Sequence, residues 1–453
     1  MTDKFICNGK DFTWSPMFAY HGFRYIEIEG IKNPAPEMVT GVFVHQDVKS
    51  ISDFKCSNEN LNKLFKLGQM ATYSNLFYMP TDCPTREKLG WVNDAQASVE
   101  QMLTNFNMVE FFKKWYVDII DAMREDGSLP GIVPTSGWGY EWGNGPVSEG
   151  ILFEIPYRLY LHTGDCALLT GSLPYFERYF GFLESRKEPD GLIDYGLDDW
   201  ASPDHFVAHG IPKTPRKLIN LTFYYKFLNI AVLAAELAND ENLQKKYKEK
   251  LDKTRRLFTD NYITADGTCG VNEQTAAAMA IAVLGVTEPL KNQLKKLIED
   301  KNFHHNCGMA GLPYLYTSLN ACGLADYVYK IITAEGYPSY TRWLDCGATT
   351  LWETWQPGNS KNHHMYSDFM SWMMKTLAGI NISAPGYAEI EIKPVFIAEL
   401  EFCMGHIDTP QGRAAVEWKR ESGKINLEIT IPENTKAVYD GKTLNSGKNI
   451  FCL

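Results

Sequence analysis

Residues 240–258 read DENLQKKYKEKLDKTRRLF, and residues 272–285 read NEQTAAAMAIAVLG. In the first, Leu243, Tyr247, Leu251, Thr254 and Phe258 recur at helical spacing with Lys and Glu on the other face, so one side meets a core and the other meets water. The second is small and apolar on nearly all sides, which suits a helix buried between neighbours. An exposed helix followed by a buried one is one hairpin of a double ring. The same patterning predicts helices near 58–79, 94–105, 108–124, 149–163, 166–186, 217–238, 241–259, 273–284, 288–299, 309–321, 324–334 and 364–378. Ser57 is the expected N-cap of the first. The loops between them are rich in Gly, Pro, Trp and Asp. Twelve helices make six hairpins, and six hairpins close into an (α/α)6 barrel with an apolar inner ring and an amphipathic outer one.

The period is two at both ends of the chain. YHGFRYIEIEG (20–30) alternates Tyr25, Glu27 and Glu29 with Ile26 and Ile28, and GVFVHQDV follows as a second short strand. In YAEIEIK, Ala388, Ile390 and Ile392 share a face; Ala414, Val416 and Trp418, then Ile425, Leu427, Ile429 and Ile431, flank a turn at Glu421-Ser422-Gly423-Lys424. The chain is therefore expected to be mainly α: an N-terminal β segment and linker over 1–50, an (α/α)6 barrel over 51–383, and a C-terminal antiparallel β-sandwich over 384–453.

The chain has 453 residues, ample for two or three domains. Its 55 Asp+Glu against 44 Lys+Arg give a net charge of −11 with no basic stripe, which argues against nucleic acid as a partner. No stretch is read as approaching the ~18 apolar residues of a membrane span. The N-terminus lacks the basic and apolar regions of a signal peptide, and the ten cysteines are scattered without a CxxC. Together these predict reduced thiols and a cytoplasmic protein. The composition is 13% aromatic, with 11 Trp, and aromatic rings stack on flat apolar faces such as those of sugars.

Two segments could carry chemistry. In DCPTREKLGWVNDAQ (82–96), Asp82, Glu87 and Asp94 lie close together with Arg86 and Trp91 among them. Crowded carboxylates raise one another's pKa, and an aromatic wall adds desolvation, which keeps a carboxylic acid protonated for general acid work. The competing reading is structural, with Asp94 capping a helix and Arg86 neutralising Asp82. In GATTLWETW (347–355), Glu353 sits between two tryptophans, costly for a carboxylate unless it is used or paired; there the competing reading is an acceptor for an indole N–H. Further polar-aromatic knots contain Trp138 and Trp142, then Asp198-Asp199-Trp200, and Asn362-His363-His364. None has the spacing of a calcium loop or a helical zinc site. Dinucleotide and phosphate-binding glycine motifs are absent, as is the serine hydrolase elbow. No metal and no cofactor is expected. Two separated carboxylates in an aromatic-lined barrel suit glycoside hydrolysis.

DCPTREKLGWVNDAQ with GATTLWETW resembles the α-L-rhamnosidases of glycoside hydrolase family 78. YHGFRYIEIEG, TPRKLINLTFYY, HNCGMAGLPYLY, NHHMYSDFMSW, APGYAEIEIKP, TPQGRAAVEWKRE and LEITIPENT extend the resemblance over most of the chain. It implies an (α/α)6 barrel that hydrolyses terminal α-L-rhamnosides with inversion. Glu87 would be the general acid and Glu353 the base that activates water. Asp82, Arg86, Trp91 and Asp94 would hold the sugar, with Trp138, Trp142, Trp200 and His363 completing its site. The implied partner is a carbohydrate, with neither nucleic acid nor membrane, and a homodimer is the assembly left open. Lys88 stands where the family often has Arg, and WGNGPVSEGILFEIP lacks a frequent Trp-Gly-Asp, leaving Glu149 nearest to that Asp. The family's long N-terminal β-domains are represented by a short segment only. Two alternatives remain: another (α/α)6 glycosidase using the same acids, and a truncated, weakly active rhamnose-binding homologue.

Overall fold

The computed structural model describes residues 1–135, 137–203 and 213–453. Among them, twelve longer helical segments alternate between two rings: α1 Glu59–Ser74, α2 Val92–Asn105, α3 Val109–Asp121, α4 Ile151–Thr163, α5 Leu173–Ser185, α6 Arg216–Leu237, α7 Glu241–Tyr262, α8 Gln274–Leu284, α9 Glu288–Glu299, α10 Gly311–Ala321, α11 Ala325–Thr333 and α12, which runs from Phe369–Trp372 into a π turn at Met373–Leu377. The even-numbered helices touch in sequence and α12 returns to α2, closing the inner ring. Burial divides the rings as the sequence patterning requires. α2 buries nearly every residue and α8 most of its length, whereas α7 buries only Tyr247, Thr254 and Phe258.

Loop lengths set where a site can be built. Chain segments leaving an inner helix for the next outer one are mostly tight, at 106–108, 238–240, 285–287 and 322–324. Those leading from an outer helix to the next inner one are long, among them 75–91, 122–150, 186–215 and 334–368. Inner helices run in one direction, so all the long loops gather at the end of the barrel where those helices begin. Loops of this kind on a rigid scaffold are where binding groups concentrate.

Several local features differ from the sequence reading. The cap of α1 is Asn58, whose side chain accepts the N–H groups of Asn60 and Leu61 at 3.0 and 3.2 Å. Ser57 Oγ instead accepts the Glu401 N–H at 2.8 Å, a tie to the C-terminal region. The helix expected over 166–186 breaks after Ala167–Gly171 and restarts as α5, with Pro174 in its first turn, where a missing N–H costs nothing. α6 is long and apolar enough by length and composition to cross a membrane, contrary to the sequence reading; it is an inner-ring helix with most of that window buried.

Among the described residues nine strands form two sheets, eight of them from the C-terminal region. They are β1 Ser52–Cys56, β2 Ile380–Ala384, β3 Glu389–Ile392, β4 Phe402–Thr409, β5 Gly412–Glu421, β6 Lys424–Ile431, β7 Lys436–Tyr439, β8 Lys442–Leu444 and β9 Gly447–Cys452. One sheet is antiparallel in the order β1-β4-β5-β6-β9; the other, β2-β3-β7-β8, holds one parallel pair, β3 with β7. The expected hairpin forms, with Glu421 opposite Lys424 and Ser422 and Gly423 both at positive φ, as a two-residue type I′ turn requires. Ala414, Val416, Trp418, Ile425, Leu427, Ile429 and Ile431 are buried, and the Trp418 indole donates to Leu377 O at 3.0 Å, joining sheet to barrel. β1 belongs to this sheet although it precedes the barrel in sequence.

The strands expected within 20–30 and 41–48 do not form. Among the described residues no strand precedes Ser52, and Phe18, Tyr25, Ile26, Val42 and Phe43 are exposed. Period two marks which face could be buried, but a strand also needs a neighbour to pair with, and none runs beside these residues.

Candidate active site

The segment 82–91 is closed on itself and stapled to the segment around 362. The Asp82 N–H donates to Leu89 O at 2.9 Å, and Asp82 Oδ1 accepts the Leu89 N–H at 2.9 Å. Asn75 Nδ2 donates to Asn362 Oδ1 at 2.9 Å, and His364 Nε2 to Thr81 O at 3.0 Å. Residues almost three hundred positions apart thus share one platform.

On it, Arg86 Nη2 lies 2.9 Å from Glu353 Oε2, and the Ser360 N–H donates to the same oxygen at 2.9 Å. His363 Nδ1 donates to Asp94 Oδ1 at 3.1 Å; its Nε2 is 3.7 Å from Glu353 Oε2 and 3.9 Å from Asp82 Oδ2. Both His363 Nε2 and Asp82 Oδ2 are buried without a hydrogen-bond partner. Glu87 Oε2 accepts the Trp91 indole N–H at 2.7 Å.

The partners differ from those of the structural alternatives. α2 begins at Val92 with Trp91 in the capping position, so Asp94 is no cap and pairs with His363. Arg86 faces Glu353 rather than Asp82. The indole that meets a catalytic-type carboxylate meets Glu87, not Glu353.

Burial and neighbouring charge shape the cluster. Burial, with Cys83 and Asp94 alongside, pushes the Asp82 carboxyl up to about 9. Burial pushes the His363 imidazole down, but the Asp94 hydrogen bond, Cys83 and Asp82 outweigh it and raise it to about 10. Burial raises the Cys83 thiol, yet His363, Asp82 and the Glu87 N–H together draw it down to about 6.

The four tryptophans predicted at the site form one chain of rings. Trp91 lies 5.4 Å from Trp138 and 5.3 Å from Trp142, and Trp142 meets Trp200 edge-on at 5.5 Å. Trp138 and Trp142 remain 49% and 43% exposed, so large apolar faces stay open to solvent beside the carboxylates. Trp352 and Trp355 do not join this wall. Both are buried, with Trp355 stacked on Trp343 at 4.5 Å, and they anchor the loop that presents Glu353.

Three roles were not legible in the sequence. Asp199 accepts from Thr275 Oγ1 and from the N–H groups of Gly308 and Gly311 at 2.6, 2.9 and 2.7 Å; this fixes the loop carrying Trp200 to the start of α10. Glu149 is fully buried and accepts the Tyr179 and Tyr195 hydroxyls at 2.5 and 3.2 Å. It is a brace beneath the 138–145 loop rather than a sugar contact. Lys88, at φ 56°, sends Nζ 2.5 Å from Tyr20 O and over the Tyr20 ring, so the N-terminal segment rests on the 82–91 loop.

A closed six-hairpin barrel that gathers carboxylates, an imidazole and a tryptophan wall at its long-loop end defines the class of six-hairpin glycosidases. Residues 49–377 match the bacterial alpha-L-rhamnosidase 6 hairpin glycosidase domain, residues 379–440 the C-terminal domain of those proteins and residues 1–45 their concanavalin-like domain. The chain belongs to the bacterial alpha-L-rhamnosidase family. It is similar to an alpha-L-rhamnosidase of Formosa agariphila, 30% identical over 96% of this chain and 49% of the relative, and to one of Streptomyces avermitilis, 29% identical over 96% and 43%. It therefore spans about half the length of the curated relatives it matches. Among solved structures, the Aspergillus terreus rhamnosidase superposes with TM-score 0.90 at 25% identity, covering 97% of this chain and 55% of that one. A Streptomyces avermitilis alpha-L-rhamnosidase complexed with L-rhamnose gives 0.81 at 25%, covering 90% and 42%.

Proposed function

We propose that the chain hydrolyses terminal α-L-rhamnosides with inversion. The observation that carries this reading is the meeting of Glu353, Arg86, His363, Asp82 and Asp94 on the loop that bears Glu87. Glu87 Oε2 is held by Trp91, leaving Oε1 to protonate the departing glycosidic oxygen. Glu353 Oε2 is held by Arg86 and Ser360, leaving Oε1 to take a proton from the water that attacks the anomeric carbon from the opposite face. Asp82 and the Nε2 edge of His363 suit sugar hydroxyls. The Trp91, Trp138, Trp142 and Trp200 rings suit the apolar ring face and C6 methyl of rhamnose.

The test is release of nitrophenol from p-nitrophenyl α-L-rhamnoside. Glu87→Gln and Glu353→Gln should each lower kcat by roughly 10²–10⁴-fold. An inert wild type that binds rhamnose would favour a binding role, and two fully active variants would overturn the assignment of acid and base.

A further inference from the structure

Asp82 Oδ2, Cys83 Sγ and a ring nitrogen of His363 all lie within 4.8 Å of one another, and all three residues are buried. Asp82 Oδ2 and His363 Nε2 are buried without a close hydrogen-bond partner and stand 3.9 Å apart, with Cys83 Sγ and Glu353 Oε2 facing them. A carboxylate oxygen, a thiol sulfur and an imidazole nitrogen facing one another, with the Glu87 N–H on the sulfur at 3.4 Å, form the donor set of a soft or borderline divalent cation. Calcium and magnesium, which take oxygen ligands in larger number, do not fit it. Donors ~2.0–2.3 Å from a tetrahedral zinc ion stand roughly 3.4 Å apart, so side-chain rotations of an ångström or less would close the set. Glu353 Oε2, 3.7 Å from His363 Nε2, or a water, supplies the fourth position.

We infer that this cluster binds one Zn2+ or a cation like it, and that the bound metal blocks hydrolysis. Ligation releases the protons of Asp82, His363 and the thiol to solvent, ties up Asp82 and His363 and draws on Glu353, so the metal and the sugar compete for the same atoms. The blocking rests on the function proposed above; the binding does not. Sequence spacing hides the site, because His363 is brought to Asp82 and Cys83 by contacts distant in sequence, among them Asn75 with Asn362 and Thr81 with His364.

The probe is Co2+ added to the full chain after chelator treatment. One equivalent should produce the near-ultraviolet thiolate-to-cobalt charge-transfer band, which Zn2+ displaces and excess L-rhamnose suppresses. Cys83→Ser should lose the band, and His363→Ala should weaken binding, with circular dichroism confirming that both variants fold. Zn2+ should abolish nitrophenol release by the wild type, and chelator should restore it. Absence of the band in the wild type, or its survival in folded Cys83→Ser, overturns the site. A chain that shows the band but never hydrolyses the rhamnoside refutes the proposed function and leaves the metal site standing.

Discussion

The guanidinium of Arg86 pairs with the carboxylate of Glu353 at 2.9 Å across 267 positions of sequence. This contact joins the two segments that the sequence marked separately, and by holding Oε2 it orients the Oε1 that the proposed base uses. Half of the Arg86 side chain is exposed, so the pair sits at the mouth of the site. Removing it should cost what a hydrogen bond to a charged group contributes, about 1.5–3 kcal/mol, or roughly ten- to a hundredfold in kcat/KM. Arg86→Ala should show this loss in steady-state kinetics, and Arg86→Lys should recover only part of it, since Lys lacks the planar fork.

What the sequence conveyed, and what it hid, divides along the reach of each interaction. The alternation of apolar and amphipathic helices in 240–285 reports burial directly, so the two rings were legible from α7 and α8. The hairpin at Ser422-Gly423 was legible because its turn is local. The pairing of β1 with β4, the parallel β3–β7 pair and the absence of strands within 20–48 depend on partners distant in sequence. The site follows the same rule. Asp82, Glu87, Trp91 and Asp94 announce themselves by crowding. Cys83 acquires meaning only beside His363, and Asp199 only beside Thr275 and Gly308. Trp352 and Trp355, read as flanking Glu353, are core because Trp343 packs against both and Tyr340 against Trp355.

Inversion makes a stereochemical prediction. Water directed by Glu353 onto the face opposite the departing oxygen yields β-L-rhamnose as the first product. Proton NMR of the anomeric region at early times, before mutarotation, should show the β signal rising first. A first-formed α anomer would refute the assigned role of Glu353 as a base for water.

Tyr20 stacks on Phe77 at 3.7 Å and receives the Lys88 ammonium over its ring, so the N-terminal segment braces the loop that carries Glu87. A cation–π contact that is partly desolvated contributes up to about 2 kcal/mol. Tyr20→Ala should therefore lower kcat/KM by about tenfold while leaving the melting temperature nearly unchanged, and Tyr20→Phe should retain most activity. Loss of activity in proportion to loss of folded protein would instead mark Tyr20 as structural.

Inside the barrel, Glu154 of α4 has no exposed side-chain surface and holds both Arg158, at 2.8 Å, and Lys226. Arg158 and Lys375 in turn meet Glu100. Truncating Glu154 leaves Arg158 with Glu100 and takes this partner from the partly exposed Lys226, and breaking a buried pair by removing one partner costs up to about 3–5 kcal/mol. Glu154→Ala should lower the urea midpoint accordingly, whereas alanine at the exposed pair partner Glu110 should change it little, since such surface pairs contribute about 0–1 kcal/mol.

Glu149 gives the fold a pH dependence of definite sign. Burial raises its carboxyl from 4.5 to about 7, against the hydrogen bonds from Tyr179, the Gly145 region and Tyr195. Between those values the folded chain holds a proton that the unfolded chain has released, so stability must fall as pH rises through the interval. The contribution is fully present below pH 4.5 and is lost above about 7; the difference approaches about 3 kcal/mol at 1.36 kcal/mol per pKa unit. Glutamine keeps the size and one acceptor but does not titrate. The unfolding free energy of the wild type minus that of Glu149→Gln should therefore decline between pH 5 and pH 8 by about 3 kcal/mol, measured by urea titration at each pH. A difference independent of pH would show that Glu149 is ionised throughout, held as a carboxylate by its two tyrosines.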